Sequence, residues 1–172
     1  HLSGNMHGDP LNYYRTEEPL AIDTFRQINR MVGENEQSCT YPKFLRGAQG
    51  QLLFMYRDGG SGDGKRLINV YDPSARQWRR WLDKPLLDGQ GRMNAYPLSP
   101  RRGPDGYFHV AWVWRNTPDA DTNHDISYMR SKDLKHWETA GGRALHLPIT
   151  PSNDKVVADP IPPRQGLLNS AY

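Results

Sequence analysis

The sequence predicts an all-β fold made of repeated, short-stranded antiparallel units, and three observations carry that prediction. Sixteen glycines and 14 prolines are spread along 172 residues, so turn residues interrupt almost every window. Ala, Leu, Glu and Lys do not dominate, which excludes a long-helix protein. The apolar runs between the turns are short, rich in aromatic and branched residues, and recur in a fixed order.

Tyr41-Pro42-Lys43-Phe44-Leu45-Arg46 opens one unit and Tyr96-Pro97-Leu98-Ser99-Pro100-Arg101 the next. A glycine turn follows each, Ala48-Gln49-Gly50 and Gly103-Pro104-Asp105-Gly106. A second strand comes next, Leu52 to Arg57 and Phe108 to Arg115, and both end on an aromatic residue followed by Arg. Third strands are Leu67 to Tyr71 and Asp125 to Met129, and each unit closes on a Trp, Trp78 or Trp137. The period is 55 to 59 residues. The opening heptapeptide His1 to His7 aligns with Gln51 to Arg57, which puts His7 where Arg57 and Arg115 stand and makes Leu11 to Tyr14 the third strand of a partial first unit.

Four short strands per unit describe a β-propeller blade. The expected division is a blade remnant over about 1–37, a blade over about 38–92, another over about 93–150, and the start of a further one over about 151–172. Propellers close with about four to eight blades. About three blades therefore read as part of a larger ring, an expectation that fits an opening with neither an initiator Met nor a signal-peptide pattern.

The turn positions also place side chains. With one turn centred on Gln49 and the other on Pro104-Asp105-Gly106, Tyr41 is expected opposite Arg57, and Tyr96 opposite Arg115. Equivalent positions of successive blades share one face, so His7, Tyr41, Arg57, Tyr96 and Arg115 are expected to cluster near one end of the central channel.

Composition bounds the partners. A net charge of +3 from 22 basic and 19 acidic residues gives no nucleic-acid footprint. Mean hydropathy is −0.83, and no run approaches the roughly 20 apolar residues of a membrane helix. Sixteen of the cations are Arg and six are Lys; Arg is the side chain of two-pronged carboxylate recognition, although an Arg-rich surface is the simpler reading of the count alone. The single Cys39 excludes an internal disulfide framework. No ligand cluster calls for a metal and no motif for a cofactor, with a structural metal ion left open.

Ser131-x-Asp133-x-x-x-Trp137 resembles the Asp-box, or BNR repeat, of sialidase-like propellers, with Lys135 where that box has glycine. A more particular likeness lies in Gly4-Asn5-Met6-His7, in Tyr41-Pro42 through Tyr56-Arg57-Asp58-Gly59-Gly60, and in Trp112-Val113-Trp114-Arg115 through Thr122-Asn123-His124-Asp125. These strings resemble the BNR-repeat family of seven-bladed propellers that includes ulvan lyases and rhamnose–glucuronate lyases. That family's catalytic pattern is a His in Gly-Asn-x-His and a Tyr followed sixteen residues later by an Arg. The resemblance implies His7, Tyr41 and Arg57 as catalytic residues, and Asn5, Tyr96, Arg115 and His124 as substrate contacts. A further family His has no counterpart here, so the resemblance places part of the active site outside this chain. It also implies an acidic polysaccharide as substrate, the remaining blades as partners, and a secreted or periplasmic location.

The chemistry explains those residue types. Eliminating a 4-linked sugar from a uronate removes the C5 proton beside a carboxylate, and a cation on that carboxylate stabilises the developing charge. Arg57 suits this, with Arg115 as a second donor. A base must reach C5–H and an acid must protonate the oxygen leaving C4; His7 and Tyr41 are the pair, with the assignment of roles open.

Simpler readings stand beside these. Arg57 can pair with Asp58 or Asp63, Tyr41 can be a packed edge aromatic, Arg115 a structural repeat position, and His124 can bond within its own loop. Trp78 and Trp137 read as blade-closing core residues, and Trp112 and Trp114 as core before sugar platform. A propeller glycoside hydrolase, sialidase-like or rhamnosidase-like, and a non-catalytic carbohydrate-binding propeller are the rival functions.

Overall fold

A strand that is apolar on both faces is stable only between two neighbours. The middle of this chain reads that way: Leu53 and Met55 point to one side of their strand, Phe54 and Tyr56 to the other, and all four are buried. In the computed structural model, which describes residues 1–169, that strand lies in the second of three antiparallel sheets packed face to face.

The chain begins with β1 (Leu2–Ser3), β2 (His7–Asp9), β3 (Tyr13–Thr16) and β4 (Phe25–Gln27). The first sheet has the order β1-β3-β4 and matches the outer part of a blade. Its second strand is shorter than the repeat predicts. Asn5 and Gly8 have φ of 57° and 85°, so the chain turns out of the sheet after Ser3, and His7 leaves its own blade to pair, in β2, with Thr40 of the next.

The second sheet runs β5 (Cys39–Arg46), β6 (Leu52–Gly60), β7 (Asp63–Asp72) and β8 (Gln77–Arg80), with β2 on its inner edge and β9 (Leu87–Asp88) against the start of β7. The third repeats it with β10 (Asn94–Pro97), β11 (Arg101–Arg102), β12 (Phe108–Arg115), β13 (Asn123–Ser131), β14 (Trp137–Glu138) and β15 (Ala144–Leu145). The expected second and third strands of both repeats lie within β6, β7, β12 and β13. The stretch expected to begin a further blade instead adds β16 (Val157–Asp159) to β13, as β9 adds to β7, and residues 170–172 lie outside the described residues.

Two cores result. Phe54, Tyr56, Leu67 and Trp78 pack against Tyr13, Leu11 and Met31 between the first and second sheets. Leu53, Met55, Ile68 and Val70 pack against Trp112, Trp114 and Trp137 between the second and third. Trp112 and Trp114 are therefore core residues and not a sugar platform. Each outer-strand Trp turns back on the preceding sheet, and Trp78 Nε1 donates to the Tyr13 hydroxyl at 3.0 Å across that boundary. Truncating one of these indoles to Ala removes on the order of 3–5 kcal/mol.

The Asp-box turn shows why Lys135 is tolerated in the glycine position. The left-handed residue of this turn is Leu134, at φ 62°, and it is buried. Asp133 Oδ1 accepts from the amides of Lys135 and His136, each at 2.8 Å, and the Ser131 hydroxyl accepts from the Leu134 amide at 2.8 Å. Partial burial pushes the Asp133 carboxyl up, but the His136 amide and ring, the Lys135 amide and the Ser131 hydroxyl outweigh it and bring it down to about 2. The folded value lies below the unfolded 3.8, so the stabilisation is complete above that value and is lost as pH falls through about 2. Asp133→Asn is expected to lower stability at pH 7 by about 1 kcal/mol, since the carboxylate is part-exposed and screened. Denaturant melts of both proteins at pH 7 and pH 2 check this; a gap of equal size at both pH values excludes the ionised carboxylate as its cause.

Candidate active site

The site grows from an irregularity in the pairing of β5 with β6. Thr40 pairs with Arg57 and Lys43 with Met55, so Tyr41 and Pro42 together stand opposite the single residue Tyr56. This is a β-bulge. Tyr41 takes φ 55°, a left-handed conformation that costs a bulky residue on the order of 1 kcal/mol. Tyr41 is thus not in register with Arg57, as the turn count predicts; Thr40 is. The bulge instead turns two consecutive residues to the same arginine. Thr40 Oγ1 accepts from Arg57 Nη2 at 3.0 Å, and the Arg57 guanidinium lies 5.1 Å from the centre of the Tyr41 ring.

Arg57 is 2% exposed, yet its Nε and Nη1 have no hydrogen-bond partner among the described residues. Asp58 does not pair with it. Successive strand residues face opposite ways, and Asp58 accepts from Asn35 Nδ2 at 3.0 Å while burial pushes its carboxyl up. A buried guanidinium with two unused donors is poised for an anion brought from outside. Gly64 makes the room: a Cβ there would lie 3.0 Å from Arg57 Cδ and clash with Asn94 Oδ1 of the third sheet.

His7, carried by β2, meets Tyr41 edge to face at 5.9 Å between ring centres, and the Tyr41 ring meets Tyr96 at 6.2 Å. Tyr96 is paired with Val113 and not with Arg115: the ladder beside the turn is centred on Asp105, and the irregular stretch Leu98–Pro100, three residues facing two, shifts the count by one more. The contact forms diagonally instead. Arg115 Nη1 donates to the Tyr96 hydroxyl at 3.0 Å, and its guanidinium stacks 4.1 Å from that ring. Arg115 also donates to Asn123 Oδ1 and Asn169 Oδ1, each at 2.8 Å, and is consequently more fully engaged than Arg57.

The structure thus brings His7, Tyr41, Arg57, Tyr96 and Arg115 together at one end of the sheets. Asn5 is exposed two residues from His7, with no described contact to the cluster. His124 lies apart, its ring nitrogens 2.9 Å from Asp125 Oδ2 and 2.8 Å from Asn116 Oδ1. One member was missed in the sequence. Arg66, 4% exposed, stands directly across from Arg57 in the β6–β7 pairing, 6.0 Å from the Tyr41 ring. Starting the third strand at Leu67 hid it; the glycine-rich turn after Arg57 was the available signal.

No group of three or more His, Cys, Asp or Glu is assembled as metal ligands, and no helix is long and apolar enough to cross a membrane, among the described residues. A cleft of about 370 Å³ beside Arg15 and Arg76 is not equivalent to this cluster, since its Tyr13 hydroxyl is engaged by Trp78.

Residues 1–172 match the model of the BNR repeat-containing family. The chain is 26% identical over 136 residues to the short isoform of an ulvan lyase from Alteromonas sp. (strain LOR), covering 74% of this chain and 26% of the relative. It is 28% identical over 109 residues to a DNA repair protein, RecO, of Rhodopseudomonas palustris (strain BisB5), covering 61% of this chain and 44% of that one. Two solved structures superpose on 92% of the chain: the polysaccharide lyase Uly1, at TM-score 0.73, 18% identity and 43% of its own chain, and an ulvan lyase of polysaccharide lyase family PL25, at 0.68, 16% and 38%. The chain therefore spans less than half the length of each of these proteins. The fold that the two solved structures share with it is that of propeller blades.

A buried cation without a counter-charge weakens the fold that holds it. Arg57→Met is expected to leave stability unchanged or raise it by about 0–2 kcal/mol. Equilibrium unfolding checks this, and a loss above about 2 kcal/mol would show that Arg57 is structural.

Proposed function

On the premise that the chain belongs to the BNR repeat-containing family, we propose that it forms part of a polysaccharide lyase that cleaves a 4-linked uronic acid, in a rhamnose- and glucuronate-type glycan such as ulvan, by β-elimination. The observation that carries this reading is Arg57, buried with two unused N–H donors beside a Tyr–His pair. Arg57 takes the carboxylate of the reacting sugar and strengthens its hold as charge develops on C5. One of His7 and Tyr41 accepts the C5 proton, the C5–H electrons form the C4–C5 double bond, and the C4–O bond breaks. The other gives a proton to the leaving oxygen. Tyr96 and Arg115 extend the cluster along the substrate, with Asn5 at its rim, whereas the bonded ring of His124 takes no part.

A propeller hydrolase requires a carboxyl group at the reacting bond or beside a Tyr nucleophile. Among the described residues no Asp or Glu lines the cavity at Tyr41, and the buried guanidinium of Arg57 beside it supports elimination. A nucleic-acid role has little to support it: the net charge is +3, and the cations of the cluster are buried against tyrosine rings. The same reading includes the remaining blades of a ring as partners and a secreted or periplasmic location, where such polymers are met.

Elimination creates a 4,5-unsaturated uronate that absorbs in the ultraviolet, which neither hydrolysis nor binding does. In the complete protein, absorbance is expected to rise on a uronate substrate and to stay flat on its carboxyl-reduced analogue. Equal cleavage of both would remove Arg57 from the chemistry and the lyase reading with it. Tyr41→Phe and His7→Ala are each expected to lower kcat by about 10²- to 10⁴-fold with folding intact. Arg57→Lys keeps the charge and loses the two-pronged contact, so KM should hold better than kcat. Near-normal turnover in a variant would take that residue out of the mechanism.

A further inference from the structure

His7, Thr40 and Arg57 lie in one row across three strands. His7 of β2 pairs with Thr40 of β5, and Thr40 pairs in turn with Arg57 of β6. Directly paired residues point to the same face of a sheet, so the Thr40 side chain stands between the other two. Pairing is irregular on both sides of it. Gly8 is an extra residue between the pairs His7–Thr40 and Asp9–Cys39, and Tyr41 with Pro42 forms the bulge opposite Tyr56. Thr40 is the fixed point between these two departures, and it is wholly buried.

Its hydroxyl joins the two neighbours. Thr40 Oγ1 accepts from the Gly8 amide at 2.8 Å and from Arg57 Nη2 at 3.0 Å. A hydroxyl oxygen has two acceptor positions, and both are used. The first bond fastens β2 one residue from His7. That strand is three residues long and exposed throughout, so burial does little to hold it. The second bond, together with the Tyr41 ring alongside, sets how the guanidinium plane of Arg57 is turned, since Nε and Nη1 have no hydrogen-bond partner among the described residues. A β-branched apolar side chain would serve a buried strand position equally well, so packing alone does not call for this hydroxyl. We propose that Thr40 is a positioning residue: its hydroxyl sets the orientation of Arg57 and, through the Gly8 amide, the place of His7, so that both hold one geometry toward the substrate. The chemical roles of those two groups rest on the lyase reading, whereas their coupling through Thr40 does not.

Thr40→Val keeps the branching and removes the acceptor, Thr40→Ala removes it without added bulk, and Thr40→Ser keeps it. In the complete protein, each hydroxyl-free variant is expected to lower kcat on a uronate substrate about 10- to 100-fold and to raise KM only about three- to tenfold, because misplaced groups cost most where charge develops. Thr40→Ser is expected to stay within about threefold of wild type in both. A readout without turnover is the preference for a uronate oligosaccharide over its carboxyl-reduced analogue, titrated calorimetrically in a His7→Ala background. Loss of the hydroxyl is expected to narrow that preference about three- to tenfold, and Thr40→Ser to preserve it. An unchanged preference in the hydroxyl-free variants would overturn the proposal, as would Thr40→Ser being as impaired as Thr40→Val. So would a loss of turnover that the unfolded fraction at the assay temperature accounts for, or failure of both hydroxyl-free variants to fold, since Thr40 would then be purely structural. A wild type that yields no unsaturated product would fail the lyase reading alone, because the titrations still judge Thr40.

Discussion

The middle sheet has no solvent face, and the rest of the structure depends on that. With Phe54 and Tyr56 committed to the first sheet, and Leu53 and Met55 to the third, a one-residue slip of β6 would expose neither set but exchange them, driving aromatic rings into the space shaped for Leu and Met. Register is therefore locked from both sides. The lock reaches the ends of the strands, where Arg57 and Arg66 are carried opposite each other into the boundary between blades. Guanidinium groups are poor core residues, and they are tolerated here because the packing that buries them is settled further along the same strands.

What the packing secures, the local backbone spends. Tyr41 occupies a left-handed conformation, Arg57 keeps two buried donors without acceptors among the described residues, and Gly64 gives up a side chain so that Arg57 and Asn94 can share one space. Each is unfavourable on its own, and together they lie within one cluster. Strain and unmet hydrogen bonding gathered at a single place, in a fold otherwise well matched, are the signature of a site whose geometry is set by what it binds.

The parts of this arrangement that follow from periodicity were legible in the sequence. The repeat located β6, β7, β12 and β13, because turn glycines and apolar alternation are local signals, and it placed the Trp that closes each blade. Shared rotation between blades was enough to bring Tyr41, Arg57, Tyr96 and Arg115 to one end of the sheets, whereas His7 arrives there by another route. What escaped were departures from a count. Tyr41 is displaced by one position because a bulge adds a residue that no local preference announces, and Tyr96 by two, one from the register of the turn and one because Leu98–Pro100 add a residue to the ladder. His7 changed sheets at Asn5 and Gly8, a backbone choice made by tertiary pairing. Arg66 was passed over because a cation beside a turn looks like surface until its cross-strand partner is known to be buried.

The bulge at Tyr41 and Pro42 also separates two kinds of inheritance in one strand. Beyond it, Phe44 with Phe54 and Leu45 with Leu53 keep the spacing that holds the blades together; before it, Thr40 with Arg57 keeps the spacing of the proposed site. Loss of the single codon for Pro42 would leave both pairings in place, yet return Tyr41 to regular alternation and point its ring to the other side of the sheet. On the proposed reading, a change of length, not of residue type, is then the smallest evolutionary step between a reactive blade and an inert one. Within such a propeller, reactivity can be gained or silenced blade by blade while the scaffold passes on unchanged.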